Sequence, residues 1–346
     1  MRANNDLELD SRKIAITGGA GFIGSALAEA LVDTGVGVTV IDNLCTGSLE
    51  NLTHLLDNPK FTFVKADLQN MPDTFNVIED CDAVFHLAAN PDVRIGSSDT
   101  KIDFDNNLLA TYNLLENIRK SRSCKKMVFT STSTVYGDAE QIPTPEDYGP
   151  LVPISLYGAS KLACESLISG YSHLFGFKSG ILRLANIIGP ASNHGVIFDF
   201  VRKLRLNPHL LEVLGDGKQN KSYLYIDDCI SAILLAYQSL DDKDKIIQIF
   251  NVGSEDRIEV SAIARIIAQE MRLDDLEIHS RSGVNGGRGW SGDVKYMQLD
   301  TSKIKARGWK AEQQSENAVR KTVRTLLASQ STEQIDIQKP REATSL

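Results

Sequence analysis

The chain has few of the features that mark secreted, metal-stapled or membrane-embedded proteins. Only five cysteines occur among its 346 residues, at Cys45, Cys81, Cys124, Cys164 and Cys229. Their scattered spacing matches neither a disulfide framework nor a metal-ligand pattern, so a reducing compartment is expected and no metal is assigned. No apolar stretch reaches the roughly 20 residues that span a bilayer. Met1 to Ser11 is polar and acidic rather than charged and then apolar, unlike a secretory leader. There is no run of lysine and arginine, and 37 basic against 45 acidic residues give a formal charge of −8, which argues against a nucleic-acid face. The expectation is a cytoplasmic protein without nucleic-acid or membrane partners.

What is present begins with Thr17-Gly18-Gly19-Ala20-Gly21-Phe22-Ile23-Gly24. Spaced glycines alone are a weak signal, and the context strengthens this one. Lys13 to Thr17 reads as a short buried strand, and Ser25 to Asp33 reads as a helix with Leu27, Ala30 and Leu31 inward. In such a strand–turn–helix, Gly18 permits the tight turn, Gly21 lets a pyrophosphate approach, and Gly24 allows close helix–sheet packing. The helix start then offers unpaired amide hydrogens and partial positive charge to phosphates. A second strand, Gly37 to Ile41, leads into Asp42, where a carboxylate can hold both hydroxyls of an adenosine ribose and repel a 2′-phosphate. NAD is therefore favoured over NADP. The competing readings are a plain turn in another α/β protein and an ordinary loop carboxylate at Asp42.

Further short apolar runs, Phe61 to Val64, Ala83 to Leu87, Lys126 to Thr130 and Gly180 to Leu184, alternate with helical stretches, as in a doubly wound parallel α/β sheet. Asp67, past the third strand, is placed to meet an adenine amino group. The small residues Ala88 and Ala89 after His86-Leu87 leave room for a dinucleotide, and His86 itself reads as a packing residue. Asp103 to Arg119 predicts a helix with Leu108, Leu109, Tyr112, Leu115 and Ile118 as its apolar face. Ile247 to Phe250 reads as a late return strand and Ser261 to Glu270 as a helix. Residues 12–190 thus read as a Rossmann-type domain and 191–327 as a smaller substrate-binding α/β lobe. A segment near 225–252 is expected to return to the first domain, and 328–346 to form a flexible polar tail.

Tyr157 and Lys161 lie four apart in a helical pattern beginning near Leu156, so they share a face. A tyrosine with a pKa of about 10 is a poor base at neutral pH. A nearby ammonium and a positively charged nicotinamide ring favour its phenolate. For this spacing alone a packed tyrosine and a surface lysine are the default; the upstream fingerprint reverses that weighting. Thr130-Ser131-Thr132-Ser133-Thr134 follows a strand at the sheet edge where ligands bind, although hydroxyls there also cap helices.

This combination, together with Ile41-Asp42-Asn43-Leu44, Val135-Tyr136-Gly137 and Leu184-Ala185-Asn186-Ile187-Ile188-Gly189-Pro190, resembles the NAD-dependent nucleotide-sugar epimerase branch of the extended short-chain dehydrogenase/reductase family from about Lys13 to Leu327. His194-Gly195-Val196-Ile197-Phe198, Lys221-Ser222-Tyr223 and Gly287-Arg288-Gly289-Trp290-Ser291-Gly292-Asp293 look most like archaeal-type UDP-galactose 4-epimerases. The resemblance implies Thr132 as catalytic hydroxyl, Tyr157 as general base and Lys161 as its cofactor-binding partner. It implies further NAD contacts at Phe22, Ile23, Asn43, Gly47, Leu68, Leu87 and Asn106, and substrate contacts at Asn186, Gly195, Val196 and Asp293. Lys221 stands where relatives carry an arginine for the diphosphate. Lysine loses the planar fork, so Arg288 is preferred for that contact and Lys221 is left between binding and solvent.

The implied reaction is C4 epimerisation of UDP-galactose and UDP-glucose through a 4-keto sugar and transiently reduced NAD, with a homodimer as the expected assembly. Ser133-Thr134 argues against a 4,6-dehydratase, which needs an acid and a base there. The missing glutamate in this loop argues against a decarboxylase. UDP-glucuronate 4-epimerase is the alternative, followed by another NAD-dependent nucleotide-sugar oxidoreductase. A non-catalytic NAD-binding protein would have no need for Thr132, Tyr157 and Lys161 together.

Overall fold

The computed structural model describes residues 11–281 and 283–329. Each short apolar run becomes a strand: β1 Lys13–Thr17, β2 Gly37–Asp42, β3 Phe61–Lys65, β4 Ala83–His86, β5 Lys126–Thr132 and β6 Lys178–Leu184. After β7 Asn186–Ile188, β8 Leu210–Val213, β9 Asn220–Lys221 and β10 Tyr223–Tyr225 comes β11 Ile247–Val252, which pairs parallel with β6. The result is a seven-stranded parallel sheet in the order β11-β6-β5-β4-β1-β2-β3. Such strands are buried on both faces and read as continuous apolar runs rather than alternating ones.

The two faces divide the core by residue parity. Ile14, Ile16, Val38, Val40, Phe85 and Val128 pack on one side with α1 (Phe22–Asp33). Ala15, Ile41, Val84, Met127 and Phe129 pack on the other, against α2 (Met71–Glu79), α3 (Ala110–Lys120) and α4 (Leu156–Phe175). After α5 (Val196–Leu206), the helix α6 (Ile226–Gln238) joins α1 on the first face through Ile233, Ala236 and Tyr237. The chain around 226–252 thus lies on the large sheet, while β7–β10, α5 and later elements build a smaller lobe. Those later elements are β12 Ile258–Glu259, α7 Val260–Met271, β13 Glu277–Ser280, β14 Tyr296–Met297, α8 Ser302–Lys305 and α9 Ser315–Ser329. They include a parallel β10–β7 pair and the sheet β12-β9-β14.

Strand order reverses between β1 and β4, so their following loops diverge and leave a crevice at the carboxyl edge of the sheet. The C-termini of β1, β4 and β5 all open onto it.

Two local expectations change. Helix α1 begins at Phe22 rather than Ser25, because Gly21 already supplies the extended cap residue and Ser25 N donates to Gly21 O at 3.0 Å. The helix anticipated from Asp103 starts instead as a π-helical turn, Phe104–Leu109, before α3. The wider turn rotates the downstream face. Leu115 and Ile118 remain buried, Leu114 replaces Tyr112 inside, and Tyr112 is 44% exposed. The polar tail lies, from residue 330 onward, outside the described residues. Among the described residues no helix is long and apolar enough to cross a membrane, and no group of three His, Cys, Asp or Glu is arranged to hold a metal.

Candidate active site

The glycine turn is shaped by close contacts that no side chain would permit. Gly18 has φ +69°, and a Cβ there would stand 2.6 Å from Ala88 N, so the turn presses directly on the chain leaving β4. At Gly24 a Cβ would lie 2.3 Å from Gly18 O; this glycine packs the helix onto its own turn rather than onto the sheet. A Cβ on Gly21 would meet only Gly18 O, at 3.2 Å, and its open side faces the cavity. No side chain caps α1, so its first-turn amides are available to an anion in that cavity.

Asp42 closes the next part of the cradle. It is 8% exposed, with Oδ2 accepting from Ala20 N at 3.0 Å and Oδ1 from Leu44 N at 2.8 Å. A carboxylate oxygen has two lone pairs, so each retains one for a ribose hydroxyl. Gly47 lies against Ala20, where a Cβ would be 2.9 Å from the carbonyl carbon. Asn43 Nδ2 donates to Asp67 Oδ2 at 3.0 Å, and Gln69 Nε2 donates to Asn106 Oδ1 at 2.8 Å. These groups, with Leu68, Leu87, Ala88 and Ala89, line the same cavity as Phe22 and Ile23.

Thr132 is the last residue of β5 rather than part of a loop. Its Oγ1 accepts from Thr134 N at 3.2 Å and lies 3.1 Å from Thr134 Oγ1. Ser155 caps α4 by accepting from Gly158 N at 3.1 Å, which starts the helix just before Tyr157. Thr132, Tyr157 and Lys161 therefore reach one cavity from two elements that meet at the sheet edge.

The protein's own groups set the Tyr157 phenol high: burial raises it, and the Asp103 carboxylate and Cys164 raise it further, so any lowering falls to the positive ring of bound NAD. Lys161 is only 2% exposed, and burial pushes its ammonium down to about 8 against the weaker opposing pull of Cys164 and Glu165. Its Nζ lies 4.1 Å from the centre of the Phe129 ring and makes no hydrogen bond or ion pair among the described residues. His86 is structural, as expected. It is wholly buried between Thr17 Oγ1 at 2.7 Å and Thr111 Oγ1 at 2.9 Å, and burial pushes it down to about 3.

Replacing Thr132 tests the hydroxyl directly. Thr132→Ala is expected to lower kcat by about a hundredfold, since one oriented donor is lost, whereas Thr132→Ser stays within about fivefold. Steady-state rates of both variants decide this, and equal losses would mean that the methyl group rather than the hydroxyl matters.

At the other end of the cavity, Asn186 Nδ2 donates to Ser222 O at 3.0 Å. Gly195, with φ +91°, caps α5 without any side-chain bond, so Val196 and the first turn present their backbone to the cavity. Lys221 also lines the cavity, and its Nζ pairs with Asp293 Oδ1 at 2.5 Å. Arg288 is placed differently from the sequence reading. Its guanidinium grips Asp138 at 2.8 and 2.9 Å and donates to Asp293 O at 2.6 Å, and the residue is not part of the cavity wall. The acidic partner lies in a distant turn, so its neutralising effect had no sequence signal.

Sequence reasoning also missed Asn90, Arg94, Gln219 and Trp290, which line the cavity. Gln219 is 4% exposed with Oε1 unpartnered among the described residues. Its burial just before β9 comes from the fold and left no signal in the sequence.

The whole forms one cavity of about 780 Å³. The glycine turn that a Cβ would fill, the uncapped helix start, the Asp42 carboxylate and the unpaired Lys161 ammonium fit a nicotinamide dinucleotide. Residues 14–253 match the NAD dependent epimerase/dehydratase family. The chain is 31% identical to the UDP-glucose 4-epimerase of Mycolicibacterium smegmatis, covering 89% of this chain and 96% of that one. It is 30% identical to the UDP-glucuronate 4-epimerase of Thermodesulfobacterium geofontis over 89% of this chain and 94% of the relative. A solved UDP-galactose 4-epimerase structure superposes with a TM-score of 0.82 at 41% identity, over 92% of this chain and 99% of that one. The chain belongs to the NAD dependent epimerase/dehydratase family and is an NAD-dependent enzyme of the extended short-chain dehydrogenase/reductase type.

Proposed function

We propose that the protein interconverts UDP-galactose and UDP-glucose by inverting C4 through a 4-keto sugar, in the manner of archaeal-type 4-epimerases. The observation that carries this reading is the meeting of Thr132, Tyr157 and Lys161 at the cavity that holds the glycine cradle. The hydroxyls of Ser133 and Thr134 line the same place, where water elimination would need an acid and a base.

Bound NAD supplies a reversible two-electron acceptor and a positively charged ring. Tyr157 takes the proton of the sugar 4-hydroxyl and later returns one to the same oxygen. Thr132 orients that oxygen, and Lys161, buried and unpaired, binds the ribose hydroxyls beside the reacting ring. Inversion requires the keto sugar to turn over while the nucleotide stays fixed, so binding energy must come from the diphosphate and base rather than the hexose.

Lys221 is the diphosphate contact in this reading. Both cations are ion-paired, Lys221 with Asp293 and Arg288 with Asp138, but Lys221 lines the cavity and Arg288 does not. Lys221→Met is expected to raise KM for the nucleotide sugar by about tenfold, as loss of one partly buried charge contact does. Arg288→Met is expected to leave KM nearly unchanged, and the reverse ranking would return the contact to Arg288. The protein is also proposed to act as a homodimer through α3 and α4. These helices expose Tyr112 and Phe175, and Phe175 lies 5.3 Å from Tyr171 on the same surface.

Product analysis after incubation with UDP-glucose, UDP-galactose, their N-acetyl forms and UDP-glucuronate tests the substrate. Inversion of the neutral hexoses supports the assignment, while exclusive turnover of UDP-glucuronate selects the uronate 4-epimerase instead.

A further inference from the structure

Asp103 opens the π-helical turn and is 1% exposed. Its Oδ1 accepts from Asn90 Nδ2 at 2.9 Å and from Asn107 Nδ2 at 3.3 Å, whereas Oδ2 has no hydrogen-bond partner among the described residues. A buried carboxylate with an unsatisfied oxygen is costly, and a specific role offsets that cost.

Both amides lead to the active site. Asn107 Nδ2 also donates to Ser160 Oγ at 2.8 Å, and Ser160 Oγ donates to Tyr157 O at 2.8 Å. Asn90 N donates to Asn107 Oδ1 at 2.8 Å, and the Asn90 side chain fixes the next turn of the cavity wall by accepting from Asp92 N at 3.1 Å. Gly96 closes over the free oxygen. A Cβ on it would stand 2.4 Å from Asp103 Oδ2 and 3.4 Å from Leu156 Cβ, at the start of α4. One carboxylate thus joins the cavity wall, the π-helical turn and the tyrosine-bearing helix.

We propose that Asp103 is a positioning residue for the reaction assigned above, locking the 90–96 wall against the start of α4 and holding a negative charge beside Tyr157. The inference rests on Tyr157 being the proton carrier. The titratable groups acting on the phenol are Asp103 from the π-helical turn and Cys164 from α4, both of which raise it. Lys161 stands on the same helix with its ammonium over Phe129. Burial pushes the Asp103 carboxyl up, the amides of Asn90 and Asn107 oppose that, and Asp92 and Asp99 add a smaller push in the same direction as burial. A fixed negative charge makes the phenolate a stronger base and its proton slower to leave. Removing the charge must move the phenol in the opposite direction.

Asp103→Asn keeps the volume and one acceptor oxygen while removing the charge. Ultraviolet difference titration of the NAD-bound protein, with Tyr157→Phe subtracted to isolate one phenol, is expected to show Tyr157 ionising about half to one pH unit lower in Asp103→Asn. The acid limb of kcat moves the same way. Asp103→Leu, which removes the acceptor for both amides, is expected to lower kcat by about tenfold across the pH range while NAD affinity is retained. An unmoved phenol in Asp103→Asn, or an unchanged kcat in Asp103→Leu, would overturn the assignment. Should the wild type invert no nucleotide sugar, the functional reading fails while the phenol titration still decides the placement of charge.

Discussion

Tyr157→Phe is expected to lower turnover by about a thousandfold, within the range that a positioned acid–base group contributes. The aromatic ring still fills its place at the start of α4, and Ser155 still caps the helix through Gly158, so the fold has no reason to change. What disappears is the only oxygen on that side chain able to accept the sugar proton. NAD affinity should remain within about threefold, because the glycine turn, Asp42 and Lys161 are untouched. Equilibrium binding of NAD alongside steady-state rates separates the two effects. Near-normal turnover would remove Tyr157 from the mechanism.

Lys161→Met is expected to damage turnover as severely and yet stabilise the cofactor-free protein. The ammonium is buried, sits over Phe129 without a hydrogen bond among the described residues, and has its pKa pushed from 10.5 to about 8. A folded-state value below the unfolded one means that the unfolded chain binds more protons between those limits. Stability therefore rises as pH climbs from about 8 to 10.5, and below that window the charged lysine costs about 3 kcal/mol. Methionine fills the same space without the charge. The variant should melt several degrees higher at neutral pH, with the advantage shrinking above pH 8. Calorimetry of both proteins at pH 7 and pH 10 measures this, and a lower melting temperature for the variant would show that the ammonium has partners that stabilise it.

Much of this site was readable in the sequence, for definable reasons. Parallel strands are buried on both faces, so β1 to β6 stand out as apolar runs, and the glycine turn must be glycine because Gly18 and Gly24 meet backbone atoms closer than a Cβ allows. The four-residue helical spacing puts Tyr157 and Lys161 on one face, whereas the choice of Thr132 among the hydroxyls after the strand came from the family resemblance. Contacts across long separations were not. Arg288 spans 150 positions to reach Asp138, and nothing near Gly287 announces that partner. Burial is the main influence on the Tyr157 phenol and Asp103 in another element adds to it, and neither is readable from the helix that carries Tyr157 and Lys161. The π-helical turn escaped because an inserted residue shifts the apolar face without altering composition.

In the proposed reaction C4 is inverted by removal and return of its own hydrogen, with Tyr157 moving only the hydroxyl proton. Incubation of the protein with UDP-galactose in heavy water, with the sugar followed by proton and deuterium NMR, separates this route from exchange with solvent. The expected product is UDP-glucose whose C4 still carries protium, with no stoichiometric accumulation of reduced cofactor. Deuterium at C4, or a reduced cofactor formed in step with a lasting keto product, would contradict it.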